Sequence, residues 1–294
     1  MQQRVIYLKL VLTMAIWGGA FTIGRVVAQT VSPFSAGFGR FAIASIFLWL
    51  LIVLRGEKLP RLNLKQGLLV TCLGLSGILV YNLFFFLGLQ NISASRAGLI
   101  IALNPVCITL ASRIFLKEQL TYAKLLGIAI SLLGAALIIT EGNIGTLVDR
   151  GVGSGELTIL GCVLSWTVYS LVGKLAMQEL STIATTTYAI WIGTVLLLPF
   201  MIWEQHAKLS QINLFTVFGL AYLGILATVM AFNWYYEGIK TIGAGKAAIF
   251  INLVPMFAII FGTIFLQESI TAIVLLGGSL VILGVSLVNR ENAR

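Results

Sequence analysis

The chain has 294 residues, 59% of them hydrophobic and only 10% charged, with a mean hydropathy of +1.02. Soluble domains carry about 25% charged residues, so a soluble fold of this length is excluded. The net charge of +9 is scattered between apolar stretches and forms no face or arm, which argues against a nucleic-acid surface and fits Lys and Arg orienting membrane spans.

A membrane helix needs about 20 apolar residues to cross a hydrocarbon core of about 30 Å. The pattern predicts such spans at 5–28, 34–54, 67–89, 96–116, 120–140, 155–178, 183–203, 213–238, 245–266 and 270–289. The first follows Arg4 and Lys9. It is too long for a signal-peptide core and no clear small-residue cleavage site follows, so it reads as a retained helix. Trp17 lies mid-span, with Gly24 and Arg25 beyond it. The second span opens at Pro33 and carries Arg40 roughly 10 Å deep by rise per residue. A charge there needs a partner or a watery cavity. A structural pair, a substrate contact and a gate all fit. Arg25 and Lys174 can snorkel to the surface.

The third span holds Tyr81 and Asn82. The fourth contains Asn104-Pro105 and runs out at Phe115-Leu116-Lys117-Glu118. In the fifth, Gly127, Ser131 and Ala135 recur every four residues. Small residues so spaced let helices approach closely, either within the chain or across a homodimer. A glycine-rich polar connector then leads to the sixth span, where Trp166 and Tyr169 lie one turn apart. The seventh has Ala189 where the second has Arg40. The eighth carries Asn233, Trp234 and Tyr235, and the ninth has Asn252 three residues before Pro255.

The last third repeats the middle third. Ile92 to Leu137 aligns without a gap on Ile242 to Leu287, at an offset of 150. Many matches are Leu or Ile, but Pro105/Pro255, Glu118/Glu268, Thr121/Thr271, Gly127/Gly277 and Gly134/Gly284 also fall in register. Trp17, Gly24 and Arg25 correspond to Trp166, Gly173 and Lys174 at an offset of 149. The expected organisation is a five-helix repeat at 1–141, a connector at 142–154 and a second repeat at 155–294. Arg4, Lys9, Arg55, Lys58, Arg61, Lys65 and most other basic residues fall on one side, so both termini are expected in the cytoplasm. An odd number of spans per repeat inverts the second copy. The expected fold class is an all-α integral membrane protein with ten helices in two inverted repeats, an arrangement that in transporters places the solute site between the copies.

Pro105 and Pro255 each remove a helix hydrogen bond. The carbonyls so released, near Ile101 and Ile251, can face a cavity or bond a neighbour. The prolines themselves are static kinks or hinges. Asn104 and Asn252 are costly in hydrocarbon unless paired, so both should face the interior. Tyr81, Asn82, Trp17, Trp166, Tyr169, Asn233 and Tyr235, on equivalent helices, offer apolar faces with hydrogen-bonding tips, which suits a small amphipathic solute. Helix packing or lipid contact is the plainer alternative for any one of them. Glu118 and Glu268 read as local caps of the helices that follow them. Cys72, Cys107 and Cys162 read as small packing residues, with no metal site. The single His206 falls in a predicted loop, and there is no HExxH and no P-loop, so neither an enzyme nor a nucleotide hydrolase is expected, and no cofactor.

These residues resemble the drug/metabolite transporter superfamily, in particular its EamA family. The resemblance rests on Trp17-Gly18 with Arg25, on Pro33 and Arg40, and on the run of Pro105, Phe115-Leu116-Lys117-Glu118, Thr121, Gly127 and Gly134, repeated as Pro255, Phe265-Leu266-Gln267-Glu268, Thr271, Gly277 and Gly284. It covers essentially the whole chain. It implies ten helices in two inverted repeats, a central cavity walled by the first, third and fourth helices of each half, and solute transport, frequently export of amino acids or other metabolites. With almost no fixed charge at mid-membrane, the solute is expected to be neutral or zwitterionic and to move outward by alternating access, driven by its own gradient or by proton exchange. A non-transporting or lipid-flipping membrane subunit is the alternative.

Overall fold

Local signals set the helix ends. Pro33 occupies the first turn of α2 (Pro33–Arg55), where its missing N–H does no harm. The helix stops at Gly56, which adopts φ 62° and donates its N–H to the carbonyls of Ile52 and Val53. Asn63 and Gln66 form a reciprocal capping box at Leu64. Ser181 and Asn213 cap two later helices through the backbone N–H of Ala184 and Thr216, at 3.3 and 2.9 Å.

A computed structural model describes residues 2–116, 121–140, 153–204, 213–242, 250–251 and 253–290. The connector 142–152, Glu118, His206 and Asn252 lie outside them. The described residues form helices: α1 (Gln2–Thr30), α2, α3 (Leu64–Asn91), α4 (Ala94–Ile101), α5 (Asn104–Leu116), α6 (Tyr122–Thr140), α7 (Ser154–Ala176), α8 (Thr182–Trp203), α9, α10 (Leu253–Leu266) and α11 (Ala272–Arg290). α9 is continuous through Leu214–Ala221, Tyr222–Met230 and Ala231–Ile242. Among the described residues six helices are long and apolar enough to cross a membrane, in α1, α2, α3, α7, α8 and α9; four further apolar helices are shorter. Large apolar side chains cover the outside, among them Leu54, Leu64, Ile114 and Phe218, with Tyr122 and Trp203 near helix ends. A surface of that kind belongs against lipid.

The fourth predicted span is broken. The chain leaves helix at Ala102-Leu103 and restarts at Asn104, with Leu103 N–H bonded to the Ile100 carbonyl at 3.0 Å. Pro105 has no N–H to return to Ile101, so a straight helix cannot run through this point. Near Pro255 the Val254 N–H closes a comparable turn on the Ile251 carbonyl at 2.9 Å. The Ile251 carbonyl is therefore engaged rather than free.

Two π-helical stretches interrupt α3 and α9, at Gly74–Val80 and Tyr222–Met230. In these stretches backbone bonds run from i+5 to i, as from the Tyr81 N–H to the Ser76 carbonyl. Side chains from other helices bond carbonyls within them. Trp17 donates its indole N–H to the Ala227 carbonyl at 3.0 Å, and Ser165 donates its hydroxyl to the Ser76 carbonyl at 2.5 Å.

α1 packs on α9 and α10, α7 on α3 and α5, and α2 on α8. α6 and α11 make the most extensive pairing. A Cβ on Gly134 would meet the Gly277 carbonyl, and one on Gly284 would meet the Gly127 carbonyl. Ser131 donates to the Val281 carbonyl at 3.2 Å. The small residues of the fifth predicted span are thus used inside the chain.

Carboxylates from the second half cap helices of the first. Glu204 accepts from the Ser32 hydroxyl at 2.6 Å and the Ser35 N–H at 3.0 Å. Glu156 pairs with Arg96 at 2.9 Å. Glu268 accepts from the N–H groups of Ala94 and Ser95 and from the Ser95 hydroxyl. This corrects the expectation that Glu268 caps its own downstream helix. Thr271 fills that place, accepting from Val274 N–H at 3.3 Å. Gln267, at φ 54°, turns the chain so that Glu268 reaches α4 instead. Arg25 reaches inward rather than snorkelling: its guanidinium donates to the Ile92 carbonyl and lies beside Glu268.

Candidate solute cavity

A cavity lies at the centre, between helices of both halves. Trp17, Ala20 and Phe21 come from α1, Arg40 from α2, Tyr81 and Phe85 from α3, Ile101 from α4 and Asn104 from α5. Trp166 on α7, Phe232 on α9, Ile251, and Val254 on α10 complete the wall. The enclosed space is about 80 Å³, well below the roughly 300–1,000 Å³ of ordinary ligand pockets. A solute of more than a few heavy atoms therefore needs the helices to part.

The wall is an aromatic assembly. Trp166 contacts Tyr81 at 5.4 Å, Phe232 at 6.0 Å and Tyr169 at 5.0 Å between ring centroids. Trp17 contacts Phe232 at 5.7 Å and Tyr235 at 5.3 Å. These offset and edge-on geometries stabilise one another by about 0.5–1.5 kcal/mol per pair beyond burial. The Trp17 indole N–H is already committed to Ala227, so that residue presents only its ring.

Polar groups are few. Arg40 is 7% exposed. It donates from Nη1 to Asn82 Oδ1 at 3.0 Å and from Nε to Thr228 Oγ1 at 3.1 Å, and its guanidinium lies 5.1 Å from the Phe41 ring centroid. Asn82 in turn donates to the Ile78 carbonyl at 2.9 Å, and Thr228 to the Leu223 carbonyl at 2.8 Å. Arg40 thus braces the two π-bearing helices. Asn104 is buried in the wall and its Oδ1 has no hydrogen-bond partner among the described residues.

Of the residues expected from sequence, Trp17, Tyr81, Asn104, Trp166 and Arg40 meet at this cavity. Asn82 stands behind it, holding Arg40. Tyr169 is buried behind Trp166, over Gly77, where any Cβ would strike its ring. Asn233 donates to the Val229 carbonyl at 2.8 Å, and Tyr235 backs Trp17. Pro105 is the second residue of α5, and Pro255 is buried in the first turn of α10. Phe232 and Thr228 were missed. At an offset of 151 Asn82 matches Asn233, and stepping back one residue pairs Tyr81 with Phe232. No comparable signal marked Thr228.

The EamA-like transporter family model matches residues 4–140 and again 153–290. The uncharacterized transporter YyaM of Bacillus subtilis (strain 168) is 31% identical over 97% of this chain and 93% of its own length. An uncharacterized transporter of Archaeoglobus fulgidus is 29% identical over 97% of this chain and 99% of its own. A probable terminal-alkyne amino-acid exporter of Streptantibioticus cattleyicolor is 28% identical over 96% and 92%. A crystal structure aligns over 99% of both chains with a TM-score of 0.68 at 18% identity, which is likeness of fold. With a family match over both halves and a relative of such length and identity, the chain belongs to the EamA-like transporter family.

Proposed function

We propose that the protein exports a small neutral or zwitterionic metabolite, an amino acid or a related compound, across the cytoplasmic membrane by alternating access. In this reading residues 1–141 and 155–294 are two five-helix repeats of opposite sense, and both termini are cytoplasmic. α6 and α11, of 19 residues each, supply spans of roughly 28 Å, and α4 with α5 forms a single broken crossing. Trp17, Tyr81, Asn104 and Trp166 contact the solute. Pro105 and Pro255 mark the bends that change between states, and Arg40 couples the helices around them.

The single observation that carries this reading is the cavity itself, whose aromatic wall is drawn from both halves and contains a buried amide oxygen with no partner among the described residues. The similarity to a probable amino-acid exporter supports the solute class. Purified protein in proteoliposomes is expected to show counterflow of one or more amino acids. Trp166→Ala should lower that flux at least about fivefold while leaving folded yield near normal. Folded protein that moves no solute would favour the non-transporting reading. A pH gradient imposed on the same liposomes separates proton exchange from movement down the solute gradient.

A further inference from the structure

Arg40 is a cation with no anionic partner among the described residues. Its two hydrogen-bond partners, Asn82 and Thr228, are a neutral amide and a neutral hydroxyl. Its Nη2 group takes no partner among the described residues, and Arg40 is part of the cavity wall. Carboxylates at the helix ends are engaged elsewhere: Glu204 with Ser32 and Ser35, Glu156 with Arg96, Glu268 with Ala94 and Ser95, and Glu237 with Lys9. A guanidinium has five N–H donors in a planar fork matched to a carboxylate. Leaving a charge in a low-dielectric interior without a counter-charge is costly.

The same wall holds a second incomplete group. Asn104 is 5% exposed and its Oδ1 is unbonded. Exchanging the amide O and N leaves it with unused capacity either way. The rings of Trp17, Tyr81, Trp166 and Phe232 line the same cavity, and aromatic faces attract ammonium groups.

We propose that Arg40 is the carboxylate receptor of this cavity, so that a single carboxylate is an obligatory feature of the solute. The carboxylate accepts from the Nη2 edge and completes the guanidinium. The Asn104 amide and the ring faces hold the remainder, including an ammonium where there is one. With one cation in the wall, dicarboxylates are disfavoured, and amines, amides and alcohols of the same shape leave the charge uncompensated. This rests on the reading of the cavity as a solute site; of the solutes named there it keeps the zwitterions, drops those without a carboxylate and admits monocarboxylate anions.

The test is binding to purified protein by thermal shift, using the twenty amino acids, their carboxamides, 3-phenylpropionate and 2-phenylethylamine. At least one acid should stabilise the protein and lose at least about tenfold in affinity when its carboxylate becomes an amide, the range of a charge-assisted bond. Arg40→Gln should remove that preference. Asn82→Asp, which sets an internal carboxylate beside Nη1 but gives up the amide's donation to the Ile78 carbonyl, should likewise weaken acid binding at least about tenfold, and the thermal midpoint of each ligand-free variant checks that it is folded. Equal binding of acid and amide, acid binding that survives both substitutions, or no binding by any acid overturns the proposal. An acid that binds through Arg40 but fails to cross proteoliposomes sinks the transport reading and leaves the receptor role standing.

Discussion

Glu268 accepts hydrogen bonds from the backbone N–H groups of Ala94 and Ser95 at 2.8 and 3.0 Å, across separations of 174 and 173 positions. The Ser95 hydroxyl adds a third donor at 2.6 Å. The loop after α10 is thereby tied to the start of α4. Glu268→Ala leaves those donors without their acceptor, and an unsatisfied buried donor costs about 1–3 kcal/mol. The thermal midpoint of the purified protein should fall accordingly, with Glu268→Gln lying between the two. An unchanged midpoint for the alanine variant means the tie contributes nothing.

Gln267 makes that tie possible by adopting φ 54°. Side chains other than glycine cost about 1–2 kcal/mol in the left-handed region. Gln267→Gly should therefore hold or raise the midpoint. Gln267→Val should lower it, since branching at Cβ worsens the crowding. The ranking Gly, Gln, Val is the prediction, and a reversed order contradicts it.

Glycines divide by what surrounds them. A Cβ on Gly134 or Gly284 would run into backbone carbonyl oxygens of the facing helix, whereas Gly67 has nothing within 4 Å. Gly134→Ala and Gly284→Ala should each destabilise by about 1–3 kcal/mol through overpacking. Gly67→Ala, near the start of α3, should stabilise by up to about 1 kcal/mol through helix propensity. Parallel melting curves of the three variants check the contrast.

Acid should weaken one exposed contact in a definite direction. A hydrogen bond from Lys65, at 2.6 Å, holds the Glu179 carboxyl below the usual carboxylate range. A depressed folded value means the contribution is present above the unfolded carboxylate value of about 4.3 and fades as pH falls through the folded one. The effect is small, because solvent screens exposed pairs. Wild type and Glu179→Gln should differ in midpoint at pH 7 and converge as the pH falls below the folded Glu179 value.

The helical class and the long spans were legible in the sequence because lipid demands uninterrupted apolar runs. Trp17, Tyr81, Asn104 and Trp166 were legible as cavity residues because polar tips and aromatic rings recur on helices that the repeat makes equivalent. What stayed hidden is what backbone geometry decides. The π-helical stretches leave no compositional trace, so the acceptors at Ser76 and Ala227, and Thr228 beneath Arg40, were not foreseen. Glu268 sat beside a plausible local partner, and the left-handed turn at Gln267 that sends it elsewhere occurs at a residue with no preference for that conformation. The break at Ala102-Leu103 read as a kink at Pro105, since proline marks the interruption but not its extent.

The crossing of α6 and α11 fixes where the protein can bend. At Gly127, Gly134, Gly277 and Gly284 main chain lies against main chain, with no long side chains between to swing and absorb a slide. The two helices behave as one riveted post. In the proposed transport cycle rearrangement would then fall on the helices around the cavity, where Trp17, Tyr81, Trp166 and Phe232 meet through their rings. A second copy of the chain would find this seam already filled, with only its flanks at Leu125, Leu133, Leu276 and Leu283 left exposed.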